Sequence, residues 1–559
     1  MNHVSGYKPK KGITRRQFLK GGAAAAVTIA SGGLLAACDD SSKTNGTKEN
    51  GAGGDSEKKW SFEVPPEPIK ESEIKKKIEA DVVVVGAGIA GMCAALSAAE
   101  AGAKVALLEK REEYTTRGMH IAAIGTKVQK RKNVEIDYVQ GIRDIIGWSG
   151  GAVKQELWWL WAKQSGPAFD WLLDMTEAEG ITADLWASGY KGKDFYEYPG
   201  VTHIFTGPNH EKFDSNRDFM EVAYKNAQKI GVDFHFETEA KQLIRPESGR
   251  VTGIIAKAKN GDYVQFNAKK GVILCTGDYA ADEEMVERYC PQAKQVDGSV
   301  YTPVGVNTGD GHKMALWVGA AMQKAEPHAP MIHTQLGANS YCFLHVNKYG
   351  KRYSNEDATP QLICNAKSLQ PDGIAWVVYD DKFLDEIPQT LEEGGGLFWD
   401  QVNRLWGQPW NREAEERRLQ RDIEAGLVVK ADTIEELAEK MEVPPDNLKA
   451  TVERYNEMAR KGYDEDFHKN PKFLFPIEKP PFYAGRFKSA LLVIVGGLSI
   501  NEKMQVLDEN DEPIPGLYAA GNTAGDFFAK DYPTIFPGVS VSRAITFGRL
   551  AGQNAAKEA

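Results

Sequence analysis

The order of apolar and polar positions marks out the elements of this chain before any chemistry is considered. Asp81 is followed by Val82-Val83-Val84-Val85, a β-branched run that reads as a strand buried on both faces. Gly86-Ala87-Gly88-Ile89-Ala90-Gly91 comes next, and residues 92–100 read as a helix that Gly102 closes. Residues 104–108 form a second apolar strand with Glu109 at its end. Residues 232–236, 237–244, 250–256 and 263–266 alternate as a small β-meander, and 271–275 are a buried strand entering the turn Thr276-Gly277-Asp278. Residues 307–315 are a glycine turn opening a helix, 516–525 a strand ending in a glycine turn, and Pro537-Gly538-Val539 the start of a last helix. Trp158, Trp161, Phe169 and Leu173 recur at helical spacing, as core residues do. Residues 413–418 read as a solvated charge run on a helix, Thr433 opens a capping box, and 447–462 read as a helix ending at Gly462.

The first of these patterns carries chemistry. In strand–Gly-x-Gly-x-x-Gly–helix, Gly86 permits the tight turn, Gly88 lets the backbone approach a diphosphate, and Gly91 lets the helix pack against the strand. The helix N-terminus then faces the diphosphate. Glu109, ending the second strand, is placed to accept ribose hydroxyls. Strand, helix, strand and acid in register predict a dinucleotide site.

Thr14-Arg15-Arg16-Gln17-Phe18-Leu19-Lys20 has the form of a twin-arginine export signal, and the soft apolar stretch 21–35 after it is too short to span a bilayer well. Leu35-Ala36-Ala37-Cys38 has the form of a lipobox, which makes Cys38 the expected lipidated N-terminus; ordinary cleavage nearby, leaving Cys38 unmodified, is the alternative. Removing residues 1–37 discards six of the 68 Lys and Arg and no acid, leaving 62 basic against 78 acidic side chains, a net charge of −16. Such a surface argues against nucleic acid as a partner. Residues 39–59 are polar and without periodicity, and cannot offset their ordering entropy. The remaining chain exceeds one ordinary core, which predicts two domains. The six cysteines show no Cys-x-x-Cys spacing and no haem attachment site, so five packed thiols beside Cys38 are expected.

These segments, in this order, resemble the flavoprotein family of fumarate reductase and succinate dehydrogenase, with flavocytochrome c fumarate reductases, urocanate reductases and ketosteroid dehydrogenases as the most similar branches. The likeness runs from about residue 80 to 552. It implies an α/β fold: a Rossmann-like FAD-binding domain with an inserted α+β capping (substrate) domain. The implied organisation is a twin-arginine lipoprotein signal at 1–37, a flexible tether at 38–77, FAD-binding segments at 78–325 and 494–559, and the cap at 326–493. No His stands in the family's flavin-attachment context, which implies noncovalent FAD. By motif match Gly86, Gly88, Ala90, Gly91, Glu109, Lys110, Ala240, Thr276, Gly277, Asp310, Gly521, Asn522 and Val541 are expected to contact it. Asn522 replaces the family's usual Glu and Asp278 a common Gly.

The departures from the family motifs concern substrate. Fumarate reductases carry a proton-delivering Arg where this chain has Pro360, a carboxylate-binding His near Val493 and a second Arg near Ile535. A dicarboxylate would be desolvated there without partners, which is costly. Ketosteroid dehydrogenases have a Tyr-Pro-Gly-Pro-Gly stretch where Tyr532-Pro533 and Pro537-Gly538 stand here. The resemblance makes Tyr532 the candidate proton donor, or a loop anchor to the cap, and the Gly538 amide a candidate oxyanion donor. His328 and His333 fall where the family places a substrate His, as carbonyl binders or as structural residues. Arg352 is expected to be structural, and Arg543 to be an exposed helix residue or to reach substrate. The combined expectation is an exported, lipid-anchored reductase of an activated C=C bond in a small unsaturated substrate, drawing electrons from a membrane cytochrome/quinol donor. The alternatives are a ketosteroid-type dehydrogenase and a flavin electron-transfer protein without its own substrate.

Overall fold

The computed structural model describes residues 60–187, 198–335, 343–391 and 404–558; the side chains of His333 and Gln335, like Cys38 and Cys342, lie outside the described residues. Its largest sheet has eight strands and is the expected Rossmann-like core. The strand Ile74–Val85 lies at its centre, parallel to Val105–Leu108 on one side and to Tyr263–Leu274 on the other. Pro513–Ala519 extends the sheet in parallel beyond Tyr263–Leu274. Val82, Val83 and Val84 are fully buried, as their unbroken apolar run requires. The helix Ile89–Glu100 covers one face, and the final helix Val539–Lys557 packs closely on it. Two glycines allow that approach: a Cβ on Gly548 would stand 2.4 Å from Ala90 O, and one on Gly552 2.2 Å from Ala94 O.

The cap is built on a six-stranded sheet around Phe482–Ile494, which pairs with Pro330–Gln335, Ala375–Asp380, Val428–Ala431 and Gly298–Ser299. The helices Pro360–Ser368 and Pro445–Lys461 belong to it, the second ending at Gly462 in the left-handed conformation. Thr433 caps its helix as the sequence predicts, accepting from the Glu436 N–H at 3.1 Å.

Four expectations are corrected. The tether does not extend to residue 77: Phe62 is buried, its carbonyl accepts from Trp317 Nε1 at 2.9 Å, and the first strand already begins at Ile74. Two aromatic residues, Trp60 and Phe62, supply the apolar surface that the polar stretch before them lacks. The short strand Asp233–His235 is no part of the meander; it pairs in parallel with Val105–Leu108. Residues 263–266 and 271–274 are one continuous strand rather than two. The charge run at 413–418 is not solvated throughout: Arg418 is buried between Glu415 (2.9 Å) and Asp422 (2.7 Å), one helical turn to either side. The pairing allows its burial.

Candidate active site

A cavity of about 640 Å³ opens at the C-terminal ends of the parallel strands, where α/β sheets bind ligands. Its floor is the glycine turn. Gly86 has φ +100°, and a Cβ there would strike Cys275 O at 2.3 Å. Gly88 is extended, with φ −76° and ψ −176°, and a Cβ there would meet nothing within 4 Å. It therefore keeps cavity space free rather than serving the fold. Gly91 does not line the cavity: its Cβ would fall 1.8 Å from Gly86 O, so it contributes helix–strand packing and not the ligand contact expected of it. The helix Ile89–Glu100 begins at Gly88 without a side-chain cap, so its N–H groups are available to an anion.

Glu109 is nearly buried at the rim; its Oε2 accepts from the Ala87 N–H at 2.8 Å and its Oε1 from Arg111 N–H at 3.0 Å. These bonds hold the carboxylate in place with lone pairs left for hydroxyl groups. Lys110 Nζ binds Asp310 (2.8 Å), Thr308 Oγ1 (3.1 Å) and Val306 O (2.6 Å). Burial pushes the Asp310 carboxyl up, but Lys110 and Thr308 outweigh it and hold the group below the usual range. Thr276 Oγ1 accepts from Gly311 N–H at 3.2 Å, and Thr523 Oγ1 donates to Gly277 O at 3.0 Å, which ties three strand-end turns together. Ala90, Ala240, Thr276, Gly277, Gly521, Asn522 and Val541 line the same cavity. An uncapped helix end, a glycine that leaves cavity space and a braced acid at the second strand fit FAD. In that fit Gly88 and Ala90 would face the diphosphate and Glu109 the ribose.

Past the cradle the wall turns apolar, with Met331, Leu492 and Val493 from the cap. Tyr532 closes it from the loop before the last helix; it is buried, and its hydroxyl accepts from Ser540 N–H at 3.3 Å. Burial pushes this phenol far up, so it holds its proton at neutral pH. Asp531 pins the loop: Trp148 Nε1 (2.9 Å), Gln361 Nε2 (2.8 Å) and Asn365 Nδ2 (3.1 Å) all donate to its carboxylate. Gln361 and Asn365 lie on the helix Pro360–Ser368, so the cap is tied to the Tyr532 loop. Gly538 has φ +86° and also lines the cavity; a Cβ on it would stand 2.6 Å from the His120 carbonyl carbon.

Arg117 and His120 are among the lining residues that the sequence does not announce. Arg117 stacks 3.6 Å over the Tyr301 ring and donates from Nη2 to Leu492 O at 3.2 Å, and His120 packs on Trp186. Both lie in the irregular stretch after Lys110, where no periodicity signals orientation. His328 is a correction. It is buried away from the cavity, its Nδ1 bonded to Tyr279 hydroxyl at 2.6 Å and its ring stacked on Tyr289. Gly496 makes the room, since a Cβ there would lie 2.4 Å from the His328 ring. Burial drives its pKa down to about 3, so it is neutral and carries no proton to donate from an acid form. His333 pairs its backbone with Ala490; its side chain lies outside the described residues. Asp278 likewise braces a turn, accepting from Asn307 Nδ2 (2.5 Å) and Ala280 N–H (2.9 Å), and does not line the cavity. Arg352 is structural as expected, held by Glu356 and Asp464 at 2.7 Å each. Arg543 is not an exposed helix residue: it is fully buried behind Asn522.

Residues 81–533 match the FAD binding domain family, and residues 12–32 match the TAT (twin-arginine translocation) pathway signal sequence, which supports export by that route. A vinyl phenol reductase of Lactiplantibacillus plantarum is 28% identical over 509 residues, which span 85% of this chain and 96% of that protein. A urocanate reductase of Eggerthella lenta is 29% identical over 517 residues, spanning 87% and 78%. The structure of a 3-ketosteroid-Δ4-(5α)-dehydrogenase from Rhodococcus jostii superposes with a TM-score of 0.68 at 25% identity, covering 88% of this chain and 100% of the other. With the strand–turn–helix cradle in register and a match that runs through both domains, the chain belongs to the FAD binding domain family and is an FAD-dependent oxidoreductase acting on C=C and CH–CH groups.

Proposed function

We propose that this protein reduces an activated C=C bond in a small organic acceptor other than fumarate. The proposed setting is the outer face of the cytoplasmic membrane, with an acylated Cys38 as anchor and a separate quinol–cytochrome partner as electron donor. The observation that carries the reading is the cavity wall. Met331, Leu492, Val493 and Tyr532 form its apolar stretch, beside Arg117 and His120, and the positions where the resembled family clamps a dicarboxylate are Pro360, Val493 and Ile535. Two relatives whose names specify a vinyl phenol and urocanate as acceptors point to alkenes conjugated to a ring.

Bound FAD supplies the hydride. The chain's own residues do the rest. Tyr532 keeps its phenolic proton through burial and donates it to the alkene carbon. The Pro537–Gly538 peptide, whose carbonyl accepts from Thr202 Oγ1 at 2.6 Å, would offer the Gly538 N–H to a developing oxyanion. The apolar wall excludes water, and Asp531 keeps cap and loop in register so that donor and acceptor stay aligned. Tyr532 and Gly538 together also suit a ketosteroid-type dehydrogenase, the second reading, which the likeness in fold favours.

The test is reoxidation of viologen-reduced protein by a panel of hydroxystyrenes, arylacrylates, fumarate and an unsaturated ketosteroid. Aryl-conjugated alkenes are expected to reoxidise it at least about 10²-fold faster than fumarate, the size of a lost general-acid or charge contact. Fumarate turnover equal to that of the best alkene would refute the argument from the wall, and fastest reaction with the steroid would favour the second reading.

A further inference from the structure

Arg543 lies in the helix Val539–Lys557, and none of its side chain reaches solvent. An interior charge without compensation is costly, and buried arginines therefore normally sit beside carboxylates. Arg352 and Arg418 in this chain do so. Arg543 forms no ion pair among the described residues. Its Nη2 donates to Asn522 Oδ1 at 2.7 Å, and its Nη1 to the carbonyls of Ala524 at 3.2 Å and Val495 at 3.4 Å. Its guanidinium stands 4.9 Å over the Phe528 ring, which packs in turn on Tyr532. Asn522 and Tyr532 both line the cavity. A full positive charge thus stands one side chain behind the cavity wall, on the helix whose N-terminus opens into the cavity at Gly538 without a side-chain cap. The acid that the resembled family carries at this wall is replaced by Asn522, so no carboxylate among the described residues neutralises it.

We propose that Arg543, acting through Asn522, is the residue that sets the reduction potential of the bound FAD. Uptake of two electrons and one proton leaves the isoalloxazine one charge more negative than its oxidised form. A buried cation close to it stabilises the reduced form over the oxidised one, because low-dielectric surroundings screen the charge poorly. The helix N-terminus acts in the same sense. Tyr532 gains from the same charge, since the phenolate left after proton donation lies near a cation; Ser540 N–H and Arg543 both oppose the upward push of burial on its hydroxyl. Arg543 is a positioning residue in this account and touches no substrate. The inference rests on FAD in the cavity and not on which acceptor is reduced.

The experiment is the equilibrium reduction potential of the FAD-loaded protein, measured against indicator dyes. Arg543→Met should weaken the preference for reduced over oxidised FAD at least tenfold, which lowers the potential by about 30 mV for a two-electron couple. Arg543→Lys keeps the charge and should stay within threefold of wild type. Asn522→Glu leaves Arg543 in place and neutralises it, and should lower the potential in the same direction; it decides the matter if Arg543→Met fails to load FAD. A wild-type potential in Arg543→Met or in Asn522→Glu overturns the proposal, as does an Arg543→Lys value as low as that of Arg543→Met. These shifts are read without substrate, so they stand or fall apart from the alkene screen.

Discussion

Replacing Gly88 by Ala should empty the protein of FAD while leaving it folded, whereas replacing Gly86 should damage the fold itself. The two glycines are two residues apart and the structure separates their roles. Gly86 adopts φ +100°, and its added Cβ would lie 2.3 Å from Cys275 O, a backbone atom directly after the strand Tyr263–Leu274. The left-handed conformation costs an L-residue about 1–2 kcal/mol and the overlap about 1–3 kcal/mol more. Together these are a large part of a total stability of about 5–15 kcal/mol. Gly88 has φ −76°, open to any residue, and its Cβ would point into free cavity space. The methyl group there stands where a diphosphate must approach the uncapped helix end. Losing one or two charge-assisted hydrogen bonds, at about 1.5–3 kcal/mol each, amounts to about 1.5–6 kcal/mol. That is roughly 10- to 25,000-fold in Kd. The assay has two arms: FAD titration of apoprotein by flavin fluorescence, and thermal melts of the same apoprotein. Gly88→Ala is expected to melt with wild type and to bind FAD weakly, and Gly86→Ala to melt well below it. An FAD Kd within threefold of wild type for Gly88→Ala would refute the cradle, as would an apo Tm lower than that of Gly86→Ala.

Other consequences are open to measurement. Tyr532→Phe should keep fold and FAD but turn over its alkene about 10²-fold more slowly, the size of a general-acid contribution; near wild-type rates would move proton donation to another residue. Acid precipitation should release FAD, not FMN, into the supernatant, and flavin retained in the pellet would contradict noncovalent binding. Cys38→Ala should shift active protein from the membrane to the soluble fraction, and unchanged membrane association would mean another anchor. Burial holds His203, His312 and His328 at about 4, 4 and 3, against about 6.5 when unfolded, so their contribution to stability is intact above pH 6.5 and is lost as pH falls through that value; Asp278 at about 6 and Glu386 at about 7, both raised by burial, act with the opposite sign. The net balance, up to about one proton, costs about 2 kcal/mol between pH 6.5 and 5, and urea melts that stay flat across that interval would contradict it.

What the sequence determined by itself was local in origin. The cradle was legible because strand, glycine turn and helix start follow one another within a few residues, and Glu109 because strand length places it. The buried valine run, the capping box at Thr433 and the glycine stop at Gly462 were legible for the same reason: period and capping act over one or two turns. The tertiary structure decided what depends on neighbours far along the chain. The motif offset placed His328 by the substrate, but Gly496, 168 positions on by the numbering, gives its ring a place away from the cavity. Gly91 packs helix on strand as its place in the motif implies, but the ligand contact also expected of it is absent from the cavity lining. Trp60 and Phe62 were read as tether until the helix ending at Trp317 gave them a surface to bury against. Arg418 read as a solvated helix charge and Arg543 as an exposed one or one that reaches substrate; their burial depends on partners, two carboxylates on the same helix for one, an amide and two carbonyls from separate strand-end turns for the other. A charge's environment is a sum over everything packed around it, and that sum exists only once the chain has folded.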